Sequence, residues 1–143
     1  MCPAGDLDWI TVTVQETPPL PGTWVECHMN QWGSDPICIC PGESPQSAQQ
    51  NAAGIVTLTF KKAGGCGHVE FIAYSASGAT SPTWGPVPIQ SPDINGDCYV
   101  ELADFIIFAG IYMSGNRCGD YDCDGDVDLV DFICFATHYF DQC

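Results

Sequence analysis

The chain has 143 residues, ten of them cysteine, and its 18 acidic residues against 3 basic ones give a formal charge of −15. That balance excludes nucleic acid and anionic membrane surfaces as partners, because both are held by cationic patches. No apolar run reaches the ~18 residues of a membrane span, and Met1-Cys2-Pro3 opens no signal peptide, so a mature or trimmed form is expected.

Between Trp9 and Ile89 the chain shows short runs of period-two alternation. Ile10, Val12 and Val14 share one side of the first, and Trp24-Val25-Glu26-Cys27 forms the second. GIVTLTFK, HVEFIAYSA and WGPVPI follow. Turn signals separate them: Pro18-Pro19-Leu20-Pro21-Gly22, Asn51-Ala52-Ala53-Gly54 and Gly64-Gly65. Residues 1–90 are therefore expected to form a small β-sandwich. Trp9, Trp24, Trp32 and Trp84 read as its core, with a glycan platform as the alternative. Residues 75–83 are rich in Ser and Thr and suited to O-linked sugars.

After Gln90-Ser91-Pro92 the periodicity becomes helical, and residues 91–143 form a second expected unit. Leu102, Phe105, Ile106, Ala109 and Tyr112 lie on one helix face, and Leu129, Phe132, Ile133, Ala136 and Tyr139 repeat it. A shift from Asp93 to Asp120 lays DINGDCYVELADFIIFAGIY onto DYDCDGDVDLVDFICFATHY, an internal duplication. Oxygen-bearing side chains take positions 1, 3, 5, 9 and 12 of each twelve-residue loop. They are Asp93, Asn95, Asp97, Glu101 and Asp104, then Asp120, Asp122, Asp124, Asp128 and Asp131. The carbonyls of Tyr99 and Asp126 take position 7.

This alternation turns successive oxygens toward one hard cation, and calcium, which takes six to eight of them, suits it better than magnesium. Unit charges about 4 Å apart repel by ~1 kcal/mol in water and by ~4 at an effective dielectric near 20, so the loops are expected to open without a cation. Two Ca2+ ions would bring the formal charge from −15 to −11.

The segments DINGDCYVELADF and DYDCDGDVDLVDF resemble the paired calcium-loop–helix units of dockerin domains, in which Asp closes the loop at position 12, as Asp104 and Asp131 do here. The resemblance implies that the residues named above are the calcium ligands and that a cohesin-like protein is a partner. At helix positions where cohesin-reading dockerins present polar side chains, this chain has Ala103, Ile107, Val130 and Cys134. The stretch QNAAGIVTLTFKKAGGCGHVEFIAYSASG resembles the late strands of bacterial immunoglobulin-like domains, which implies a spacer or adhesive role. The expected fold is thus mainly β, an immunoglobulin-like sandwich followed by a small α dockerin-like pair, rich in disulfides.

Cys2, Cys27, Cys38, Cys40, Cys66, Cys98, Cys118, Cys123, Cys134 and Cys143 are all disulfide candidates, because metal sites need repeated C-x-x-C pairs and the closest pair here is Cys38-Ile39-Cys40. Cys27 and Cys66 are the first pair expected to bridge. An oxidising, extracellular or cell-surface location follows. Glu16, Glu26, Glu43 and Glu70 form no recognisable catalytic pair, and His28, His68 and His138 lack metal-ligand spacing. No nucleophile elbow, phosphate loop or zinc-protease motif occurs. The expectation is a non-enzymatic protein whose apolar helices pack on the β-unit or on a partner. Its partner is either another copy of itself, giving a filament or surface assembly, or a cohesin-like receptor.

Overall fold

The computed structural model describes residues 10–61, 63–75 and 82–142. Cys2, Trp9, Cys143 and most of residues 75–83 lie outside them. The fold is mainly β with two short helices. Among the described residues, seven strands run β1 (Ile10–Gln15), β2 (Trp24–Gln31), β3 (Ile37–Ile39), β4 (Gln46–Gln49), β5 (Ile55–Phe60), β6 (Ala63–Ser75) and β7 (Thr83–Gln90), followed by α1 (Leu102–Ile111) and α2 (Leu129–Thr137).

Strands β1 and β5 pair as a two-stranded sheet. The larger sheet has the order β3-β6-β2-β4, with β7 also on β6, and its pairings are antiparallel. Period-two alternation turns Val12 and Val14, Val25, Cys27 and Met29, Val56, Leu58 and Phe60, and Val69, Phe71 and Ala73 into one shared core. Fully burying each larger apolar side chain contributes about 1.5–3 kcal/mol. The β4–β5 turn is closed by Asn51, whose Oδ1 accepts the Ala53 N–H at 2.9 Å and the Ile55 N–H at 3.0 Å. Gly54 completes it at φ +74°, and a Cβ there would lie 2.8 Å from the Glu16 carbonyl oxygen.

Gly64 and Gly65, expected to turn the chain, instead begin the long strand β6. Their missing side chains admit neighbours: a Cβ on Gly64 would collide with the Asp93 carboxylate, and one on Gly65 with the Pro36 carbonyl. The chain beyond β7 therefore lies directly on β6. A second core forms there from Cys66, Ile94, Val100, Phe108, Tyr121, Val127 and Phe135. The Phe108 and Phe135 rings stack at 5.2 Å. Two bridges fasten the parts together, Cys38–Cys98 and Cys66–Cys118. Cys40 and Cys123 are disulfide-bonded as well.

Two expectations are corrected, for Cys27 and for the tryptophans. The Cys27–Cys66 bridge does not form: Cys27 pairs across the sheet with Ala73, seven residues and roughly 23 Å along β6 from Cys66. Cys27 is instead a buried free thiol, and burial raises its pKa to about 11. Trp24, Trp32 and Trp84 are exposed rather than core. On the helices, the buried residues are Asp104 and Phe108 in α1 and Asp131 and Phe135 in α2. The face through Leu102, Phe105 and Ile106 points outward. Its cause is geometric: the Asp at the start of each helix turns into its loop and carries the residue four positions on inward with it.

Candidate metal centre

The duplication read in the sequence is present in the backbone. Gly96 (φ 70°) and Cys123 (φ 63°) occupy position 4 of their loops, Cys98 (φ 75°) and Gly125 (φ 100°) position 6, and Met113 (φ 62°) and Phe140 (φ 78°) follow the two helices. Each helix tail pairs with the opposite loop. Met113 N–H donates to Val127 O at 2.8 Å as Phe140 N–H does to Val100 O at 2.9 Å; Val127 N–H donates to Ser114 O as Val100 N–H does to Asp141 O. The left-handed position 6 of a calcium loop ordinarily takes glycine, and a side chain there costs about 1–2 kcal/mol. Cys98 sits in that conformation under the tie to Cys38.

Within the first loop, Asp93, Asp97 and Asp104 each bring a carboxylate oxygen within 4.8 Å of the others, and Asp120, Asp122 and Asp124 do so in the second. Asp104 and Asp131 are fully buried, and each holds its own loop together. Asp104 Oδ1 accepts the Asn95 N–H and its Oδ2 the Glu101 N–H, both at 3.0 Å. Asp131 Oδ1 accepts the Tyr121 N–H at 2.6 Å, and its Oδ2 the Asp128 N–H at 2.8 Å. Glu101 and Asp128 act as helix N-caps, Asp128 accepting the Val130 N–H at 2.8 Å. Tyr99 and Asp126 donate their N–H groups to Asp97 and Asp124.

Asp93 is buried with Oδ1 accepting from Gly96 and Asp97 and Oδ2 from Cys98. Burial pushes its carboxyl above the usual range, the N–H groups of Cys98 and Asp97 pull it back, and the charges of Asp104 and Asp97 push it further up. Its counterpart Asp120, 8% exposed, differs: Oδ2 accepts the Gly125 N–H at 3.1 Å, while Oδ1 is buried without a hydrogen-bond partner. A buried, unpartnered carboxylate oxygen beside two further carboxylates is a donor set suited to a hard divalent cation.

The three histidines each meet a carboxylate: His28 with Glu26 at 2.6 Å, His68 with Asp35 and His138 with Asp141, both at 2.9 Å. Sequence reasoning missed that His68 and Asp35 stand at the junction of the two cores, where Arg117 Nη1 lies 3.4 Å from His68 Nε2. The bond from His68 holds the Asp35 carboxyl below its usual range. The Gly64-Gly65-Cys66-Gly67 run was the available signal, since four small residues in a strand mark close approach of another backbone. Compared with known proteins, the chain matches no family model, no curated protein and no solved structure.

Proposed function

We propose that the chain is a secreted, non-enzymatic structural subunit that takes up two calcium ions and self-associates into an extracellular filament or surface assembly. The pairing β1–β5 across from β4-β2-β6-β7 supports an immunoglobulin-like sandwich. The duplicated loop–helix units, with Asp at position 12, support a dockerin-like calcium pair. Bound calcium supplies positive charge to carboxylates that otherwise repel one another.

A single observation carries the assembly reading. The only charged residues in α1 and α2 are Asp104 and Asp131, and both are buried, so neither helix offers charge to solvent. Solvent-facing helix surfaces ordinarily carry charged and polar residues. Equivalent residues of the repeat stand outward almost equally: Leu102 60% and Leu129 59%, Phe105 38% and Phe132 37%, Ile106 63% and Ile133 56%. A patch built twice with the same residues suits pairing with its own copy across a twofold axis. The β-edges supply a second self-contact, and two distinct contacts per chain extend a closed pair into an open string. Repulsion between copies of charge −15 opposes this contact, and calcium lowers that charge.

Light scattering with negative-stain microscopy, in millimolar calcium against excess chelator, tests the reading. Ordered polymers are expected with calcium, dispersing in chelator and absent from the Ile106→Lys, Ile133→Lys double variant. A monodisperse monomer in both conditions overturns the subunit and favours a receptor-bound docking module.

A further inference from the structure

We infer that the two loops are unequal cation sites: the second binds calcium more tightly and fills first, while the first keeps its shape without an ion. The inference rests on the calcium reading above and assigns an order to it.

In the first loop the protein satisfies every carboxylate oxygen of the cluster. Asp93 accepts at both oxygens from Gly96, Asp97 and Cys98. Asp97 accepts from the Tyr99 N–H at Oδ1 and from the Asn95 side-chain amide at Oδ2, and Asp104 from Asn95 and Glu101. An ion entering here competes with bonds already made, above all the Asn95 amide turned onto Asp97.

The second loop lacks that internal closure. Asp120 Oδ1 has no partner although its residue is 8% exposed. Leaving a buried charged acceptor unmatched is costly, and a cation bound there relieves it. The loop is also held from swinging open into water. Cys118, two residues before Asp120, is tied to Cys66 in β6, and Cys123 within the loop is disulfide-bonded in left-handed backbone. One oxygen of Asp120 is thus anchored by the Gly125 N–H and the other presented bare. Charge acts in the same direction: Asp122 stands where the first loop has neutral Asn95, and Asp126 where it has Tyr99. Calcium affinity rises with ligand charge, and rigidity does not separate the two sites, because Cys98 ties the first loop to Cys38 in the same way.

Calorimetric titration of the oxidised, chelator-stripped full chain with calcium chloride tests the order. Wild type is expected to show two phases separated by about tenfold or more in dissociation constant, equivalent to about 1.4 kcal/mol. Asp120→Asn removes the tighter phase, whereas Asp93→Asn leaves it unchanged within about twofold. Amide hydrogen exchange on wild type at sub-saturating calcium reads the same order without a variant: residues 120–131 gain protection before residues 93–104. Equal phases, a tighter phase that survives Asp120→Asn, or earlier protection of residues 93–104 overturns the inference while leaving calcium binding intact. A wild-type chain that takes up no calcium overturns the calcium reading itself, and this inference with it.

Discussion

The two cores solve the problem of burial in opposite ways. Among the described residues before Asp93, the buried set is apolar apart from Gln50. In the loop–helix region the buried set is smaller, and Asp93, Asp104, Asp120 and Asp131 are buried with it. An apolar core stabilises in proportion to the area it removes from water. A core wrapped around carboxylates does so only while each of them is bonded or neutralised. The difference teaches where the molecule is autonomous and where it depends on its surroundings: the sheets need only water to exclude, whereas the loops need N–H groups, disulfides and, on the proposed function, calcium.

The largest effect that sharpens this contrast comes from truncating one aromatic in each core. Phe71→Ala and Phe135→Ala each remove a side chain that is 1% exposed, and each is expected to cost about 3–5 kcal/mol. Their signatures differ. Phe71→Ala lowers stability equally in calcium and in chelator and leaves calcium affinity unchanged. On the proposed function, Phe135→Ala also weakens calcium binding, because α2 starts at Asp131's loop and is fixed in place by Phe135 against Phe108. Denaturant unfolding with calorimetric titration measures both, and equal calcium dependence of the two variants would erase the distinction between the cores.

A smaller effect is expected where the cores are fastened. Replacing Cys66 and Cys118 together by Ala removes a bridge spanning 52 residues of sequence and is expected to cost about 2–4 kcal/mol. Hydrogen exchange should place that loss in residues 93–142 and leave β2 and the Val69–Ala73 stretch of β6 protected, since those strands pair with each other over Val25–Gln31. Loss of protection spread evenly over both regions would mean that the sheets are not autonomous.

The same contrast explains how much the sequence disclosed. Strands β1, β2, β5 and the second half of β6 were legible because each alternates an apolar inner row with an outer one, whereas β7 is exposed over its first four residues and half-buried over its last four and was read from its short apolar run alone. Strand β3 is three residues long, and β4, Gln46-Ser47-Ala48-Gln49, has no apolar row to betray it. The carboxylate clusters were legible because a duplicated spacing is local and repeated. Which helix face turns inward was not, because hydrophobicity points to Leu102, Phe105 and Ile106, and the bonds drawn by Asp104 decide otherwise. The bridges were illegible for a further reason: Cys66 meets Cys118 only because the chain beyond β7 packs a second core against this end of β6, a tertiary fact that no spacing encodes.

The smallest effect concerns pH, and its sign should differ between the two settings. Asp35 has a folded-state pKa held down chiefly by the bond from His68, so it contributes stability above its unfolded value, about 3.9, that is lost as pH falls through the folded value. Asp93 is shifted the other way by burial. In chelator it binds its proton more tightly folded than unfolded, so its contribution is present at low pH and is lost as pH rises through the carboxylate range. On the proposed function calcium reverses that second slope, since a metal ion is bound by the deprotonated carboxylate. Unfolding in denaturant between about pH 3 and pH 6, a window spanning the ordinary carboxylate range, should therefore show His68→Ala flattening the acid-side loss in either buffer. Asp93→Asn should remove a fall in stability with rising pH that appears in chelator alone. If both variants changed the profile identically with and without calcium, the carboxylates of the loops would be no more dependent on an ion than the one beside the sheet.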